Sequence, residues 1–431
     1  MYGYRGRYLR VNLTTKNIEI CDIPDEMFRN YIGGAGIATR LIYDETNPET
    51  DPLGPENALA AFTGPFTSSR ALSGSRHHYV SRSPMTGIIG ESNVGGDWGA
   101  QLKQAGFDGL VITGKAEQPL YLWINDGQVE LRDAQPVWGK DAFEAAEWLK
   151  VQTNIRASVA VIGQAGENLV PMAGIPHIGS TRFGIAGRTG LGAVMGSKNL
   201  KAMVVLGTQS PSFADDQGLK ASVQRVMSHL RQVTSDFTKY GTSGGVEKYE
   251  YLGNFPVKNW RESRWKEGAV KISGVTMHDT ILVGRYACRK CTIACGRHIV
   301  IDEGPFAPLD TEGPEYETIG TMGGECLIDN LEAICKANEL CNRYGLDTIS
   351  VGAALAFGME AYERGLLTRA DARGLELTWG NAEALVEIVH RIALSQDVGK
   401  LLGKGVKRAA EELGGSASEF AVHVKGLEPS A

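Results

Sequence analysis

The amino-acid sequence predicts an α+β protein, in which a β-rich N-terminal half precedes a mostly α-helical half. Apolar and polar residues alternate in several runs before residue 206, and turn-forming residues join some of these runs. Most segments after residue 212 instead carry apolar residues at helical spacing. The segment 207–212 contains Gly, Ser and Pro and is typical of a linker. We therefore predict two domains, 1–210 and 211–431.

Two β-hairpins are predicted in the first half. Residues 9–13 alternate between apolar and polar, a polar stretch interrupts the alternation, and apolar residues resume at 18–20. Residues 121–124 and 129–131 form a second pair of runs around Asp126-Gly127. Asp-Gly suits a two-residue hairpin turn, because both central residues of that turn need a positive φ.

Three helices are predicted in the second half. The apolar positions of 331–335 follow i, i+3, i+4 spacing, and Gly345 stands where a left-handed residue would end that helix. A second helix is predicted over 347–365. A third begins near Asn381 and carries its apolar residues on one stripe.

Composition excludes several classes of protein. The chain has 44 basic and 50 acidic residues, so its net charge of −6 argues against a nucleic-acid coat. No apolar run approaches the about 18 residues of a membrane span, and the first residues do not read as a signal peptide. Seven cysteines, three of them close together, indicate a reduced cytoplasmic chain with a metal site rather than a disulfide framework.

Cys288, Cys291 and Cys295 have C-x2-C-x3-C spacing, which would let three thiolates converge on one iron–sulfur cluster. Basic residues around the motif would stabilise the thiolates. These residues are Arg285, Arg289, Lys290 and Arg297. A zinc site would normally show two separated pairs of ligands, and buried structural cysteines are the other alternative.

A fourth ligand is missing from this motif, although an iron–sulfur cluster usually takes four thiolates. Cys335 and Cys341 fall in a predicted helix and are expected in the core, since a free cysteine behaves as a small hydrophobe. Cys326 is therefore the most plausible fourth ligand within this chain.

Glycine is over-represented, with 54 residues in 431 against a usual share of about 7%. Glycine-rich loops at 33–36, 93–96 and 184–187 could expose backbone N–H groups to a phosphate. None matches a nucleotide fingerprint, and 192–198 ends in Gly-Ser-Lys where a Walker loop needs Gly-Lys-Ser or Gly-Lys-Thr. Ordinary ATP or NAD binding is thus disfavoured. A phosphate-bearing ligand and a purely structural role for these turns both stay open.

Other polar side chains admit a functional and a structural interpretation. Arg76 could bind phosphate or lie along a cofactor, whereas a plain surface arginine is the commoner case. His77 and His78 are adjacent strand residues and point to opposite faces, so they do not predict a metal site. Glu315 and Glu317 would share a face of an extended segment and could raise one pKa, with a solvated acidic loop as the alternative.

Together these motifs resemble the tungsten-dependent aldehyde:ferredoxin oxidoreductases. The resemblance is dense across the first half and continues into the second. The segments that carry it are 7–13, 63–65, 83–87, 162–169, 196–202, 288–295, 312–317 and 345–348. So many matches in order are highly specific.

The resemblance implies a cofactor of two molybdopterins, whose dithiolenes hold tungsten, or molybdenum in some members, without a protein ligand on the metal. It also implies that the backbone oxygens of Asn93 and Ile185 touch a Mg²⁺ ion bridging the pterin phosphates. Gly95 and Gly96 belong to the same cofactor-binding loop as Asn93. Arg76 matches an arginine between a 4Fe-4S cluster and a pterin. The β-rich domain is thus expected to bind tungstopterin.

The resemblance assigns further roles in the second half. Glu317 matches a carboxylate beside the tungsten that handles protons. Asn342, Gly345, Leu346 and Asp347 correspond to a pterin-contacting D-x-x-G-L-D loop. Asn342 replaces the first aspartate, so that contact loses its charge but can keep a hydrogen bond. Asp347 could alternatively serve only as a helix N-cap.

The C-terminal part of the sequence is expected to differ from the family pattern. Family members continue with a second pterin loop, a fourth cluster cysteine and a histidine near the metal, and this chain is expected to lack them. The helical domain is therefore expected to be truncated. The chain would be a fragment, one half of a split enzyme completed by another chain, or a degenerate relative.

The implied function is oxidation of small aldehydes to carboxylic acids, with electrons passed through a 4Fe-4S cluster to ferredoxin or another low-potential acceptor. One alternative is reduction of an aromatic acyl-CoA. Another is a non-catalytic cofactor-binding or electron-transfer subunit that a second chain completes. We further expect a cytoplasmic oligomer without a nucleic-acid partner or a membrane span.

Overall fold

The computed structural model of the chain describes residues 1–179 and 183–431, which form two compact units. The N-terminal unit consists of Met1–Leu169, Ala173–Val233 and Ala287–Thr292. The C-terminal unit consists of Val170–Met172, Thr234–Tyr286 and Ile293–Ala431.

The segment 211–233 belongs to the N-terminal unit, beyond the boundary expected at residue 210. Two long-range contacts explain this. The backbone N–H of Gly3 donates to the carbonyl oxygen of Ser212 at 2.8 Å, and Arg70 pairs with Asp216 at 2.8 Å. These contacts join residues far apart in sequence, so composition around 207–212 does not reveal them.

The two units contain different elements. The strands of the N-terminal unit are β1 (Arg7–Asn12), β2 (Asn17–Asp22), β3 (Leu59–Thr63), β4 (His77–Arg82), β5 (Ile89–Val94), β6 (Gly109–Thr113), β7 (Leu120–Asn125), β8 (Gln128–Asp133), β9 (Ser158–Val161), β10 (Ile175–Ile178), β11 (Phe183–Ala186) and β12 (Leu200–Leu206). Its helices are α1 (Asp25–Tyr31), α2 (Ala35–Glu45), α3 (Trp98–Gln104), α4 (Ala142–Gln152), α5 (Gln164–Glu167), α6 (Leu191–Ser197) and α7 (Asp216–Val233). The strands of the C-terminal unit are β13 (Leu282–Tyr286), β14 (Gly296–Ile301) and β15 (Leu309–Glu312). Its helices are α8 (Ser235–Tyr240), α9 (Val246–Tyr251), α10 (Lys266–Lys271), α11 (Gly274–Thr280), α12 (Tyr316–Thr318), α13 (Leu331–Tyr344), α14 (Thr348–Glu363), α15 (Ala382–Ala393), α16 (Asp397–Leu402) and α17 (Val406–Leu413), with a π-helical segment, Ile319–Gly324, after α12.

Within the described ranges, two six-stranded mixed sheets form the frame of the N-terminal unit. Their strand orders are β2-β1-β6-β3-β4-β5 and β11-β10-β9-β12-β7-β8. Both predicted hairpins are confirmed, since β1 pairs antiparallel with β2 and β7 pairs antiparallel with β8. Asp126 and Gly127 have φ values of 44° and 91° at the β7–β8 turn, as a two-residue turn of this kind requires.

The two sheets share one apolar core with α3 and α6. Leu9 and Leu110 of the first sheet and Leu122 and Met203 of the second are fully buried in it. Trp98 of α3 is also fully buried and donates its indole N–H to the carbonyl oxygen of Met203 at 2.9 Å. Burying a large apolar side chain contributes about 1.5–3 kcal/mol, so this shared core is a main source of stability.

Alternate residues of the central strands face different cores. In β3, Leu59 and Ala61 belong to the shared core, whereas Phe62 joins a second core with α1 and α2. In β12, Met203 belongs to the shared core and Val204 joins a third core with α4. Because successive strand side chains point to opposite faces, each sheet is covered on both sides.

Buried lysines tie loops to the edge of these cores. Lys103 donates to two backbone carbonyl oxygens, at 2.7 and 2.8 Å. The ammonium group of Lys198 contacts the carbonyl oxygen of Asn57, and that of Lys201 contacts the carboxylate of Glu167. Buried charges need such partners, because an unpaired one is costly to desolvate. The motif segments that contain Glu167, Lys198 and Lys201 therefore serve the fold.

The Walker-like stretch lies on the buried helix α6. A Cβ on Gly192 would collide with the carbonyl oxygen of Gly174, and one on Gly196 would collide with that of Gly166. The two glycines thus let the helix backbone approach neighbouring backbone closely. Their spacing is explained without a bound phosphate.

The C-terminal unit combines the antiparallel sheet β13-β14-β15 with packed helices. Helix α13 packs against α15, α15 against α16, and α14 against the π-helical segment. All three predicted helices are confirmed. Gly345 ends α13 in a left-handed conformation with φ 73°, Asp347 caps α14, and Asn381 caps α15. Helix α14 ends at Glu363, two residues before the expected Gly365.

Three findings concern the chain as a whole. No helix in residues 1–179 or 183–431 is both long and apolar enough to cross a membrane. The seven cysteines all lie in the described ranges, and none of them forms a disulfide bond. In the same ranges, no three His, Cys, Asp or Glu side chains are arranged to hold a single metal ion.

Candidate cofactor site

The cysteine motif folds as a tight turn. The backbone N–H of Cys291 donates to the carbonyl oxygen of Cys288 at 3.0 Å. Lys290 and Ala294, each directly before a cysteine, have φ values of 59° and 53°. Such positive values are uncommon outside glycine and cluster at functional sites. Cys288, Cys291 and Cys295 are half-buried, so their thiols stay accessible to a metal.

The loop Ala287–Thr292 packs against the N-terminal unit, to which it belongs. The backbone N–H of Ser73 donates to a loop carbonyl at 3.3 Å, and its hydroxyl lies 3.5 Å from the sulfur of Cys291. A Cβ on Gly95 would lie 2.6 Å from the sulfur of Cys288. Only glycine at position 95 leaves room for that sulfur, so Gly95 helps to place the loop.

Arg76 and Asn93 contact each other. Arg76 lies three residues after Ser73, and Asn93 lies two residues before Gly95. The guanidinium of Arg76 donates to the Asn93 side-chain oxygen and lies 3.5 Å from the Asn93 backbone oxygen. The side chain of Arg76 is exposed. An exposed guanidinium suits phosphate oxygens, and a backbone oxygen suits Mg²⁺. Gly96 follows with φ 90°.

The structure places Ile185 in strand β11 and Asn93 in strand β5, which corrects the expectation that both lie in glycine loops. Strand β11 pairs with β10, and Ile185 stands opposite Pro176. A Cβ on Gly184 would lie 2.9 Å from Cγ2 of Val94. Gly184 therefore permits a close approach between β5 and β11 rather than forming a turn.

His77 and His78 point to opposite faces of β4, as predicted. The Nδ1 atom of His78 lies 2.6 Å from Oε1 of Glu91, and this hydrogen bond lowers the pKa of Glu91. His77 points into the core and meets His177, with 3.3 Å between the two Nε2 atoms. Sequence reasoning missed this pair, because His177 is 100 residues away and stands in an unremarkable strand.

Cys295 lies in the C-terminal unit, directly before β14. The guanidinium of Arg297 donates to the carbonyl oxygen of Ala294 at 2.7 Å and to the carbonyls of residues 238–239 at 2.9 and 2.5 Å. Burial lowers the pKa of Arg297, while the neighbouring Cys295 acts in the opposite direction. Convergence of Cys295 with Cys288 and Cys291 stays a prediction.

The structure contradicts the prediction that Cys326 is a fourth cluster ligand. Its thiol is fully buried and donates to the carbonyl oxygens of Thr321 and Gly352, each at 3.4 Å. Burial raises the pKa of this thiol well above its ordinary value, and it is the thiolate that binds metal. Cys335 and Cys341 are buried in α13, as predicted for core residues.

Glu315 and Glu317 do not form the predicted carboxylate pair. The chain is extended at Glu315, but α12 begins at Tyr316, so the two-residue period of a strand is lost. The hydroxyl of Thr242 donates to Glu315, whereas Glu317 accepts a hydrogen bond from the backbone N–H of Ala431 at 2.8 Å. These two hydrogen bonds are made by different groups.

Asn342, Gly345, Leu346 and Asp347 lie where α13 meets α14. Asn342 and Asp347 are 5% and 4% exposed, and Leu346 is fully buried. The carboxylate of Asp347 accepts a hydrogen bond from the backbone N–H of Ile349 at 3.1 Å, which makes it the N-cap of α14. The capping role is thus observed, and the pterin contact stays a prediction.

A second buried carboxylate stands beside this cap, and sequence reasoning missed it. The hydroxyl of Ser350 lies 2.9 Å from Oδ2 of Asp347 and 2.7 Å from Oε2 of Glu428. Glu428 also accepts a hydrogen bond from the backbone N–H of Val406 at 2.8 Å. A residue in a Gly-Leu-Glu-Pro stretch gives no local signal of such burial.

The predicted site residues divide between the two units. The N-terminal unit holds Arg76, Asn93, Gly95, Gly96, Ile185, Cys288 and Cys291, and the C-terminal unit holds Cys295, Glu317, Asn342, Gly345, Leu346 and Asp347. Within the N-terminal unit, the cysteine loop packs against Gly95, where a Cβ would collide with the loop. The exposed guanidinium of Arg76 and the backbone oxygen of Asn93 lie beside this contact. These groups fit a phosphate-bearing cofactor next to an iron–sulfur cluster.

Two family models match nearly the whole chain. The model described as "Aldehyde ferredoxin oxidoreductase, N-terminal domain" matches residues 8–207. The model described as "Aldehyde ferredoxin oxidoreductase, domains 2 & 3" matches residues 219–431. A C-terminal family region is therefore present, which corrects the expectation that this part of the pattern is absent.

Individual proteins agree with these models. The chain is 40% identical over 433 residues to the tungsten-containing aldehyde ferredoxin oxidoreductase of Thermococcus kodakarensis, a match that covers 99% of this chain and 70% of that protein. It is 33% identical over 455 residues to the aliphatic sulfonate oxidoreductase, WOR-like subunit, of Pyrococcus furiosus, covering 100% of this chain and 71% of that protein. Among solved structures, it is similar to the active site complex BamBC of benzoyl coenzyme A reductase in complex with 1,5 dienoyl-CoA, with a TM-score of 0.87, 30% identity, and coverage of 99% of this chain and 66% of that one. The chain therefore belongs to the aldehyde ferredoxin oxidoreductase family, a family of oxidoreductase enzymes.

Proposed function

We propose that the protein is a tungstopterin oxidoreductase that oxidises small aldehydes to carboxylic acids and passes the electrons singly through a 4Fe-4S cluster to ferredoxin. One observation carries this proposal: the loop with Cys288 and Cys291 packs on Gly95, beside the contact of Arg76 with Asn93. Residues expected to bind a cluster and residues expected to bind a pterin thus adjoin, as electron transfer between the two groups requires. The 40% identity to a named aldehyde oxidoreductase supports the same function.

Arg76, Asn93 and Ile185 would hold the phosphate end of the cofactor. The guanidinium of Arg76 can form paired hydrogen bonds to phosphate oxygens. The backbone oxygens of Asn93 and Ile185 are hard oxygen donors of the kind that Mg²⁺ prefers. When bound, tungstopterin supplies the two-electron redox chemistry. Tungsten rather than molybdenum, and a Mg²⁺ ion that these two backbone oxygens would hold, are part of the proposal.

Cys288, Cys291 and Cys295 would be thiolate ligands of the cluster. The positive φ values of Lys290 and Ala294 set the backbone direction directly before two of the proposed ligands, Cys291 and Cys295. The chain would thus receive the cluster with its ligand loop already folded.

Glu317 is proposed to move protons. Oxidation of an aldehyde with water releases two protons and two electrons for each carboxylic acid formed, so a proton acceptor is needed near the substrate. The backbone N–H of Ala431 donates to the carboxylate of Glu317 at 2.8 Å. Asn342, Gly345, Leu346 and Asp347 are proposed to contact the pterin from the α13–α14 junction.

Reduction of an aromatic acyl-CoA is the second candidate. It is favoured by the TM-score of 0.87 to a structure titled as a benzoyl coenzyme A reductase complex. The identity to that chain is 30%, against 40% to the aldehyde oxidoreductase, so aldehyde oxidation remains the first candidate. A non-catalytic subunit is not favoured, because family models match both halves of the chain.

Finer properties belong to the same proposal. Ferredoxin as acceptor follows from the resemblance, and a cytoplasmic location follows from the cysteine content. An oligomeric assembly and a second polypeptide that completes the chain are also proposed. Light scattering of the purified protein, with subunit composition read from a denaturing gel, tests the last two directly.

The experiment that tests the function is an anaerobic dye-reduction assay on protein purified from a host supplied with tungstate. We expect reduction of a viologen dye that depends on a simple aldehyde and not on an aromatic dienoyl-CoA. We expect Glu317→Gln to lower kcat by about 100-fold, the range for loss of a proton-transfer group. The matched variant Glu315→Gln should keep kcat near that of the wild type. Metal-loaded protein that turns over only the CoA thioester, or no aldehyde, would overturn the proposal.

A further inference from the structure

The two strands whose backbone carbonyl groups are proposed to contact the cofactor belong to different sheets. Asn93 lies in β5, at the end of the first sheet, and Ile185 lies in β11, at the end of the second. The shared apolar core holds the two sheets together, and contacts at this end restrain the two edge strands further. The separation of the two carbonyl groups therefore depends on contacts between the strands behind them.

The strands directly behind β5 and β11 each contribute one histidine to such a contact. In β4, His77 stands opposite Val94, the neighbour of Asn93. In β10, His177 stands opposite Gly184, the neighbour of Ile185. The Nε2 atoms of the two histidines lie 3.3 Å apart. This hydrogen bond joins the two sheets one strand behind the proposed carbonyls.

The partners of His177 define the direction of this hydrogen bond. Its Nδ1 lies 2.9 Å from the carbonyl oxygen of Ile175, so Nδ1 carries the proton and donates. Its Nε2 is then an acceptor with one lone pair, which the hydroxyl of Tyr79 at 2.8 Å and the Nε2–H of His77 at 3.3 Å share. Both hydrogen bonds cross from β4 to β10.

The cluster is sealed from water, which keeps this arrangement fixed. His77 and Tyr79 are fully buried, and His177 is 2% exposed. The ring of His77 stacks on Trp98 with 4.9 Å between ring centroids. Burial lowers the pKa of both histidines, so both rings stay neutral at ordinary pH. In a dry core, breaking these bonds would leave polar groups unpaired, and that is expensive.

A second contact joins the front strands themselves. The position of Gly184 admits no side chain, because a Cβ there would lie 2.9 Å from Cγ2 of Val94. Asn93 and Ile185 are therefore each one residue from a direct contact between β5 and β11. The histidine bond and this contact together restrain both strands.

We propose that His77 and His177 are positioning residues, whose hydrogen bond fixes the separation of the Asn93 and Ile185 carbonyl groups and so shapes the divalent-cation site between the pterin phosphates. This inference rests on the proposed function for the identity of the ligand. The restraint on β5 and β11 does not rest on it.

The test compares two replacements of His177. His177→Leu keeps an apolar side chain but removes the acceptor for His77 and Tyr79. His177→Gln places an amide oxygen near the position of Nε2 and can still accept both hydrogen bonds. Phe28→Leu, a core substitution in α1 on the outer face of the first sheet, is the control for general loss of stability.

Two readouts are measured on the whole protein. Amide hydrogen exchange of residues 89–94 and 183–186, taken on protein free of cofactor, reports the restraint alone. Mg²⁺ and pterin content per chain, taken on protein from a tungstate-supplied host, report the site. We expect His177→Leu to speed exchange in both strands. We also expect it to lower Mg²⁺ content per chain, because loss of a supporting residue commonly lowers metal affinity by about ten-fold. His177→Gln should restore both readouts.

The outcomes separate the two proposals. Unchanged exchange and unchanged Mg²⁺ content in His177→Leu would overturn the inference, and so would equal losses in Phe28→Leu. Faster exchange in His177→Leu together with no pterin in the wild type would support the restraint and contradict the proposed function.

Discussion

At Gly95, the absence of a single methyl group decides where the cysteine loop can lie. A Cβ on this residue would stand 2.6 Å from the sulfur of Cys288, while its backbone φ is ordinary. We therefore expect Gly95→Ala to displace Cys288 and to lower iron affinity by about ten-fold, the scale of change for residues that support metal ligands. Iron per chain, measured by mass spectrometry after anaerobic purification, checks this.

Gly64→Ala is the matched control for that variant. Gly64 also has an ordinary φ, and apart from Gly64 and its two chain neighbours, no heavy atom of the described residues lies within 4 Å of a Cβ built on it. Its iron content should equal that of the wild type. If Gly95→Ala binds iron as well as Gly64→Ala does, the cysteine loop does not depend on Gly95.

His177 predicts a pH dependence of stability. Burial lowers its pKa from the ordinary 6.5 to about 3. Between these values the unfolded chain binds a proton that the folded chain excludes, so the free energy of unfolding falls as pH falls below 6.5. From pH 7 to pH 5, His177 should account for a loss of about 2 kcal/mol.

Urea unfolding of the wild type and of His177→Gln at both pH values measures this contribution. The variant lacks the titrating ring, so its free energy of unfolding should fall by about 2 kcal/mol less than that of the wild type. Parallel losses in the two proteins would show that the ring of His177 is not held neutral by the fold.

For single residues, the sequence shows which side chains could react or bind better than it shows their burial and their long-range contacts. Cys288 and Cys291 lie in one turn because they are close in sequence, and their role as cluster ligands stays a prediction. Cys326 was misassigned, because nothing local shows that its thiol is buried against two carbonyls. The contact of His77 with His177 was out of reach for the same reason, since 100 residues separate the two rings.

Among the elements, α14 offers a paired test of close packing. A Cβ on Gly352 would lie 2.7 Å from backbone and side-chain atoms of Thr321 in the π-helical segment. Gly352→Ala should therefore destabilise the protein by about 1–3 kcal/mol, as overpacking does. Urea unfolding followed by circular dichroism measures the change.

Gly358→Ala lies in the same helix and provides the comparison. Its Cβ would lie 3.1 Å from Cδ1 of Leu402 and 3.7 Å from Cδ1 of Leu377, both of which are flexible side-chain ends. A gain of about 1 kcal/mol in helix propensity should offset these contacts, so stability should stay near that of the wild type. Equal destabilisation by both substitutions would contradict the packing described for Gly352.

Elements defined by local signals were predicted well. The turn at Asp126-Gly127 and the end of α13 at Gly345 depend on backbone conformations that the residues themselves favour. Strand β11 was mistaken for a loop, because Gly184 serves a close approach to β5 that only the assembled sheets reveal. The extended segment that would place Glu315 and Glu317 on one face was also wrong, because helix α12 begins at Tyr316 without a strong local signal.

For the whole molecule, the sequence predicts the fold class and the order of the two halves, and both are confirmed. It does not predict that 211–233 and Ala287–Thr292 return to the N-terminal unit. That assignment depends on contacts such as Arg70 with Asp216 and Ser73 with Cys291, each made by residues more than 140 positions apart. Long-range contacts of this kind leave no local pattern.

The most direct test of the central claim is the tungsten and iron content of one preparation, purified anaerobically from a host supplied with tungstate and compared with its Cys288→Ser variant. The account predicts one tungsten and about four irons per chain in the wild type. The variant should lose most of its iron, because it lacks a thiolate ligand, and should keep tungsten, which the pterins hold without a protein ligand. Wild-type protein without tungsten, or a variant with the iron content of the wild type, would contradict the account.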